Sequence, residues 1–135
     1  MSEGCVVAID PGLGKCGIAA VCASGVVLEQ RIVPRGELVA SVLDAVARHS
    51  PVAVVIGDRT GSRAARVELE KALQRSLVSV EEHESTLHSR ERYYRDHPRR
   101  GLLKLLPEGL FTPPRPLDDY AAVILGERYW ASRGR

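Results

Sequence analysis

The feature that most constrains this fold lies near the start of the chain, where a β-branched apolar run stops at a carboxylate. Residues 6–9 read Val-Val-Ala-Ile and lead into Asp10, and a Pro-Gly-Leu-Gly turn at 11–14 separates Asp10 from a second apolar run. This pattern predicts two strands of a β-hairpin. An ionised carboxylate at the end of a buried strand costs free energy unless a cation or several donors satisfy it. Asp10 is therefore predicted to bind a metal ion, and the alternative is that it only starts the turn.

Length and composition bound the class of protein. A chain of 135 residues with 44% hydrophobic residues predicts one globular domain, residues 1–135, with a substantial core. The start of the chain has neither a basic leader nor a long apolar run, so we expect a cytoplasmic protein with no membrane partner. Three cysteines, Cys5, Cys16 and Cys22, lack metal-ligand spacing, which predicts buried free thiols. A formal net charge of +2 is too small to indicate a nucleic-acid partner by itself.

Apolar periodicity predicts the order of the secondary-structure elements. Three early segments separated by turns predict an antiparallel meander. Two later apolar runs, each preceded by a segment with helical spacing, predict strands that join the sheet in parallel. The predicted fold class is α/β, a five-stranded mixed sheet flanked by helices. The predicted strands are 6–10, 15–22, 26–33, 52–56 and 77–80, the predicted helices are 38–49, 62–75, 85–94 and 118–130, and residues 96–117 are predicted to form a long surface loop.

Three acidic residues fall at the ends of predicted elements. Asp10 closes the first strand, Glu82 follows the fifth, and Asp118 opens the last helix. Such ends meet at one edge of a mixed sheet, and three carboxylates in one place need hard cations such as Mg²⁺ or Mn²⁺ between them. Two such ions would suit phosphodiester hydrolysis. The alternatives are that Glu82 is a solvated surface residue and that Asp118 is only a helix N-cap.

Basic residues cluster in one window, 90–100, around Tyr93 and Tyr94. Arginines there offer phosphate contacts, and a tyrosine can stack on a base of a single strand. The alternative is an exposed helix whose charges pair with one another and whose tyrosines pack inward, and helical spacing already prevents both tyrosines from sharing a face. The candidate nucleic-acid contacts are Lys15, Arg59, Arg92, Arg95, Arg99 and Arg100.

These motifs resemble those of two related families. Residues 9–12, Ile-Asp-Pro-Gly, followed by Gly17, resemble the opening motif of the RuvC and YqgF (RuvX) families, which share the RNase H-like fold. Residues 55–61 are similar to the fourth-strand segment of YqgF proteins. Residues 81–86 resemble the YqgF Asp-Glu-Arg-x-Ser-Thr motif, with its glutamate on Glu82, and residues 118–122 resemble the closing Asp-x-x-Ala-Ala. The resemblance covers essentially the whole chain in the expected order.

The resemblance implies a divalent-metal nuclease of RNase H-like fold, with Mg²⁺ or Mn²⁺ held by the three acids. YqgF proteins imply RNA as the substrate, in maturation of the small-subunit ribosomal RNA precursor. The chain departs from the YqgF pattern at two positions of the 81–86 motif, where Glu81 replaces the aspartate and His83 replaces the arginine. Asp58 lies near the place where RuvC proteins carry their second acid, and Asp119 is an alternative to Asp118 whose direction differs by about 100° around the helix.

Other functions remain open at this point. RuvC relatives resolve Holliday junctions, so a DNA junction is a possible substrate, and such an enzyme needs a dimer that presents two sites to two strands. A catalytically silent RNA- or ribosome-binding domain would keep the fold without cleaving. An ATPase of the actin or hexokinase kind also begins with an Asp-x-Gly turn, but it needs two such domains. The sequence leaves monomer and homodimer equally open.

Overall fold

The computed structural model describes residues 4–58, 62–81 and 118–133, and it describes Asp118 by its place in the last helix but not by its side chain. A short 3₁₀ helix, Arg35–Glu37, precedes the first α-helix. The strands are β1 (Cys5–Asp10), β2 (Lys15–Cys22), β3 (Val27–Pro34), β4 (Ala53–Gly57) and β5 (Val78–Val80). The described helices are α1 (Leu38–His49), α2 (Ser62–Leu73) and α3 (Asp118–Ser132).

The five strands form one mixed sheet in the order β3-β2-β1-β4-β5. The first three strands pair antiparallel, whereas β4 pairs in parallel with both β1 and β5. Helices pack on both faces of β1 and β4, which explains why both strands are apolar runs apart from Asp10. The predicted five-stranded mixed sheet is confirmed.

Strand alternation divides the core into two layers. Val7, Ile9, Ile18 and Ile56 pack on one face against α1 and α2, and this side is termed the α1 face. The other side, termed the α3 face, is formed by the intervening strand residues, which pack against α3; they include Val6, Ala8, Ala19, Val21 and Val55. Because side chains alternate along a strand, Asp10 follows Val6 and Ala8 onto the α3 face.

Small residues let α3 lie close to the sheet. A Cβ added at Gly126 would lie 2.8 Å from Val21 Cγ2 and 3.6 Å from Ala8 Cβ. All residues from 119 to 126 are buried. Trp130 closes the far end of the contact, where its indole Nε1 donates a hydrogen bond to the Val21 carbonyl at 3.0 Å. The last helix is thus a core element and not a surface helix.

Some predicted boundaries differ from the observed ones. Helix α2 ends at Leu73 and not at 75, because Gln74 adopts a φ of 55°, a left-handed conformation that ends the helix. The helical spacing of residues 62–75 predicts a core face made of Ala65, Leu69, Ala72 and Leu73, but Ala72 is exposed. Helix α3 continues to Ser132, two residues beyond its predicted end. The predicted helix 85–94 and the predicted loop 96–117 lie outside the described residues.

The cysteines are free, as predicted, although their burial differs. Cys5 and Cys16 are buried, and Cys22 is partly exposed. Burial, followed by the nearby Cys22, raises the pKa of the Cys5 thiol. None of the helices within the described ranges is long and apolar enough to cross a membrane.

A charged cluster joins β3 to α1 on the α1 face. Arg48 Nη1 and His49 Nε2 each lie 2.6 Å from Glu29 Oε1, and Arg31 Nε lies 3.1 Å from Glu29 Oε2. Asp44 extends the cluster by accepting a hydrogen bond from Arg48 Nε at 2.8 Å. Burial raises the pKa of Glu29, but the hydrogen bonds from Arg48 and His49 and the two arginine charges outweigh it and leave the pKa below its ordinary 4.5.

Glu29→Gln is expected to reveal this cluster as a pH-dependent contribution to stability. Because folding lowers the pKa of the Glu29 carboxyl, its ionised form stabilises the fold at pH values above the ordinary pKa. This contribution disappears as the pH falls through the pKa of the folded state. The difference in free energy of unfolding between the wild type and the variant should therefore be constant above about pH 5 and shrink below about pH 4. Urea unfolding across this range measures it, with Glu37→Gln at an exposed position as the control. A difference that stays constant down to pH 3 would contradict the assignment.

Candidate functional site

Asp10 lies at the centre of the candidate site. It is the last residue of β1 and only 2% exposed. Its partner in β2 is Gly17, and the parallel register that pairs Ile9 with Ile56 continues to Gly57 in β4. Both lateral neighbours of the carboxylate are therefore glycines, which place no side chain beside it on the α3 face. The local sequence thus buries an acid at the C-terminal end of the central strand, with small residues beside it in both neighbouring strands.

The turn that follows Asp10 is tightly held. A Cβ at Gly12 would overlap the carbonyl oxygen of Lys15, so only glycine fits there. The Gly14 carbonyl accepts a hydrogen bond from the backbone N–H of Arg35 at 2.9 Å, and Cys16 Sγ lies 3.7 Å from the Gly12 carbonyl oxygen. Lys15, a predicted nucleic-acid contact, is exposed at the start of β2. The turn thus presents a cation five residues after the buried acid.

The first turn of α3 contacts the sheet through Asp119. Asp119 is 5% exposed, and its Oδ2 accepts a hydrogen bond from Gln30 Nε2 of β3 at 2.9 Å. A negative charge in the first turn of a helix is also favoured by the helix dipole. This contact directs the Asp119 carboxylate to the edge strand, two strands away from β1. Asp118 precedes it as the first residue of α3.

Hydrogen bonds outside the ladder hold the short strand β5. On one side, Arg66 of α2 donates through Nη2 to the Leu77 carbonyl at 2.9 Å, and Glu70 Oε2 accepts from the Leu77 N–H at 2.9 Å. The Leu77 hydrogen bond lowers the pKa of Glu70. On the other side, Arg128 of α3 donates through Nη1 to the Glu81 carbonyl at 2.6 Å. Helices on both faces therefore fix the chain immediately before position 82.

The end of β4 lies between these parts. The backbone N–H of Asp58 donates to the Val80 carbonyl at 3.1 Å, which ties the exits of β4 and β5 together. The side chain of Asp58 is exposed, one residue beyond the glycine that neighbours Asp10. Asp58 is thus placed at the same end of the sheet as Asp10, where the parallel strands β1 and β4 both end.

Several predicted site residues lie outside the described residues. They are Glu82, Arg59, Arg92, Arg95, Arg99 and Arg100. Within residues 4–58, 62–81 and 118–133, no group of three histidine, cysteine or acidic side chains is close enough together to hold a metal ion. The described part of the chain therefore supplies the edge of the sheet, its buried Asp10 and the supports of the neighbouring elements.

Two residues that hold this end of the sheet, Gln30 and Arg128, are not among the predicted site residues. Strand alternation places Gln30 on the same face as its partner Ala19, the α3 face, so a polar residue at an inward position of β3 is the signal that could have identified it. Arg128 gives no comparable signal, because an arginine near the end of a helix is ordinary. The contact between Arg128 and Glu81 spans 47 positions in the sequence, so only the folded chain shows it.

Comparison with known proteins gives a structural match without a sequence match. No family model matches the chain, and no curated protein matches it. Among solved structures, that of Thermus thermophilus RuvC is similar at a TM-score of 0.60 and 17% sequence identity, covering 96% of each chain. Together with the strand order and the mixed pairing, this likeness establishes the fold. The chain has the RNase H-like α/β fold.

Proposed function

We propose that this protein is a divalent-metal-dependent nuclease that hydrolyses phosphodiester bonds of RNA. The observation that carries the proposal is the burial of Asp10 at the end of the central strand, between two glycines, in an RNase H-like fold. A buried carboxylate at the end of a strand is an oxygen donor of the kind that hard divalent cations prefer. Its place at the end of the central strand supports a role in metal binding.

The proposed metal ligands are Asp10, Glu82 and Asp118, which hold Mg²⁺ or Mn²⁺, most simply as two ions. The support is the chemistry of the donors, because an all-carboxylate set suits hard cations. When bound, such ions supply Lewis acidity at the phosphodiester. Asp58 and Asp119 are second choices for the ligand set. The hydrogen bond of Asp119 to Gln30 favours a positioning role for Asp119 over metal binding.

The chain's own residues bind and orient the substrate in this proposal. Lys15, exposed after the first turn, neutralises a backbone phosphate. The bond between Gln30 and Asp119 holds the first turn of α3 on the sheet, and Arg128 holds the chain before Glu82. Arg59, Arg92, Arg95, Arg99 and Arg100 are proposed as further phosphate contacts. Each element that carries a proposed ligand is thereby tied to a neighbour.

The role implied by the YqgF resemblance is ribosomal RNA maturation or other RNA processing in the cytoplasm. The likeness to RuvC favours a second candidate, a junction-resolving nuclease that acts on DNA. This alternative requires a homodimer, since two strands must be cut by two sites. A monomer that cuts RNA and a dimer that cuts junctions therefore differ in both substrate and assembly.

The test is a cleavage panel with end-labelled single-stranded RNA, duplex RNA, single-stranded DNA and a four-way DNA junction. Each substrate is incubated with Mg²⁺, Mn²⁺ or EDTA, and Asp10→Asn protein purified in parallel controls for contaminating nucleases. We expect RNA to be cut only with metal and only by the wild type. Cutting of the junction alone by a dimer would establish the resolvase. If RNA binds but no substrate is cut in a metal-dependent way, the nuclease proposal is refuted and the protein is a catalytically silent RNA-binding domain.

A further inference from the structure

A leucine lies at the tip of the turn beside Asp10. Leu13 is 95% exposed, the most exposed large apolar side chain among the described residues. Turn tips ordinarily carry asparagine, aspartate, serine or glycine, which interact well with water and with the turn backbone. Packing within the described part of the chain therefore gives no reason for a leucine at this position.

The backbone on both sides of Leu13 is fixed. Gly12 lies against the Lys15 carbonyl so closely that no Cβ fits, and the Gly14 carbonyl accepts a hydrogen bond from the Arg35 N–H at 2.9 Å. The side chain at the tip is thus held out by a rigid turn, and little conformational entropy is lost when it meets a partner.

The position of the tip restricts what that partner is. Leu13 follows Asp10 by three residues, so their Cα atoms lie within about 11 Å of each other. Exposed Lys15 flanks it on the other side. A single apolar side chain next to a cation is too small for a stable protein interface, which needs roughly 1,000 Å². It suits a nucleic-acid strand, which offers base faces and phosphates at this spacing.

We propose that Leu13 contacts a base of the bound nucleic-acid strand, next to the phosphodiester that lies at Asp10. The inference rests on the proposed function and adds a recognition element to that site. Leucine is one of the apolar side chains that insert beside bases and partly unstack them. Lys15 neutralises the adjoining phosphate, so the turn recognises a strand through one apolar and one charged contact. The contact is insensitive to base identity, because every base has an apolar face.

Binding measured without cleavage tests the proposal. Fluorescence anisotropy with labelled single-stranded RNA in EDTA compares the wild type with Leu13→Ser and with Val67→Ser, which removes a valine that is 58% exposed on α2. Leu13→Ser is expected to weaken binding about fivefold, whereas Val67→Ser leaves it unchanged. The slope of log K against log salt should stay the same for Leu13→Ser and decrease in magnitude by about 1 for Lys15→Gln.

A second readout uses a fluorescent probe at the same position. Leu13→Trp should be quenched by RNA, whereas the wild type, whose one tryptophan is Trp130 in the far part of α3, should not. Equal affinities for Leu13→Ser and the wild type, or no quenching of Leu13→Trp, would overturn the contact even if RNA is cleaved normally. Failure of every protein to bind or cut nucleic acid would overturn both the contact and the proposed function.

Discussion

Replacing Asp10 with asparagine is expected to reduce metal-dependent cleavage by about a thousandfold, a rise of ~4 kcal/mol in the activation barrier. Asparagine keeps the size of the side chain but removes the charge on which the proposed metal binding depends. Because asparagine fills the same volume as the buried carboxylate, the metal-free fold should keep most of its stability. Loss of activity with retained stability is the pattern expected of a functional acid.

Metal binding to the folded protein gives a readout that is independent of catalysis. A metal ion present at a hundred times its Kd should raise the free energy of unfolding of the wild type by about 2.7 kcal/mol. Asp10→Asn should lose most of this gain. Thermal or urea unfolding with and without Mn²⁺ measures it, and Asp44→Asn, a change in the charged cluster of α1, is the matched control. Equal metal-induced stabilisation of Asp10→Asn and the wild type would remove Asp10 from the ligand set.

Gly126→Leu is expected to destabilise the fold by about 3 kcal/mol, because the new side chain must displace α3 from the sheet. Even a Cβ at this position would lie 2.8 Å from Val21 Cγ2 and 3.0 Å from Val21 Cβ. Gly126→Ala separates two opposing effects, since helix propensity alone favours alanine by about 1 kcal/mol. We expect the steric cost to win and Gly126→Ala to be less stable than the wild type.

Urea unfolding of a small variant set tests this packing. Gly36→Ala is the control, because a Cβ there meets nothing within 4 Å. Val21→Ala should rescue Gly126→Ala in the double variant, since it removes the side chain that the new Cβ would meet, and the two changes should therefore be non-additive. Stability gained by Gly126→Ala alone would show that α3 tolerates a larger separation. The cleavage rate should fall together with the free energy of unfolding, because α3 carries the proposed metal ligand Asp118.

The predictable part of the fold is the part encoded by local repeats. Alternation and apolar runs gave the five strands within one or two residues, and helical spacing gave α1 at its observed bounds. The predicted end of α2 lies two residues beyond the observed one, because the left-handed conformation of Gln74 has no clear sequence signature in a non-glycine residue.

The candidate site was predictable only in part. Asp10 stood out because a charged residue ended an apolar strand, and the structure confirms that it is buried. The bond between Gln30 and Asp119 joins residues 89 positions apart, and no local pattern predicts such a pair. The need for glycine at 126 likewise comes from Val21, whereas the sequence alone presents this glycine as a residue that weakens a helix.

The sequence by itself determined the strands, the described helices and the acid at the end of β1, because periods of 2 and 3.6 residues and turn chemistry are local properties. Only the tertiary structure decided that Asp10 lies on the α3 face between Gly17 and Gly57, and that Asp119 accepts a hydrogen bond from Gln30. The reason is physical, because the register of paired strands and the docking of a helix depend on contacts between segments that are far apart in the chain.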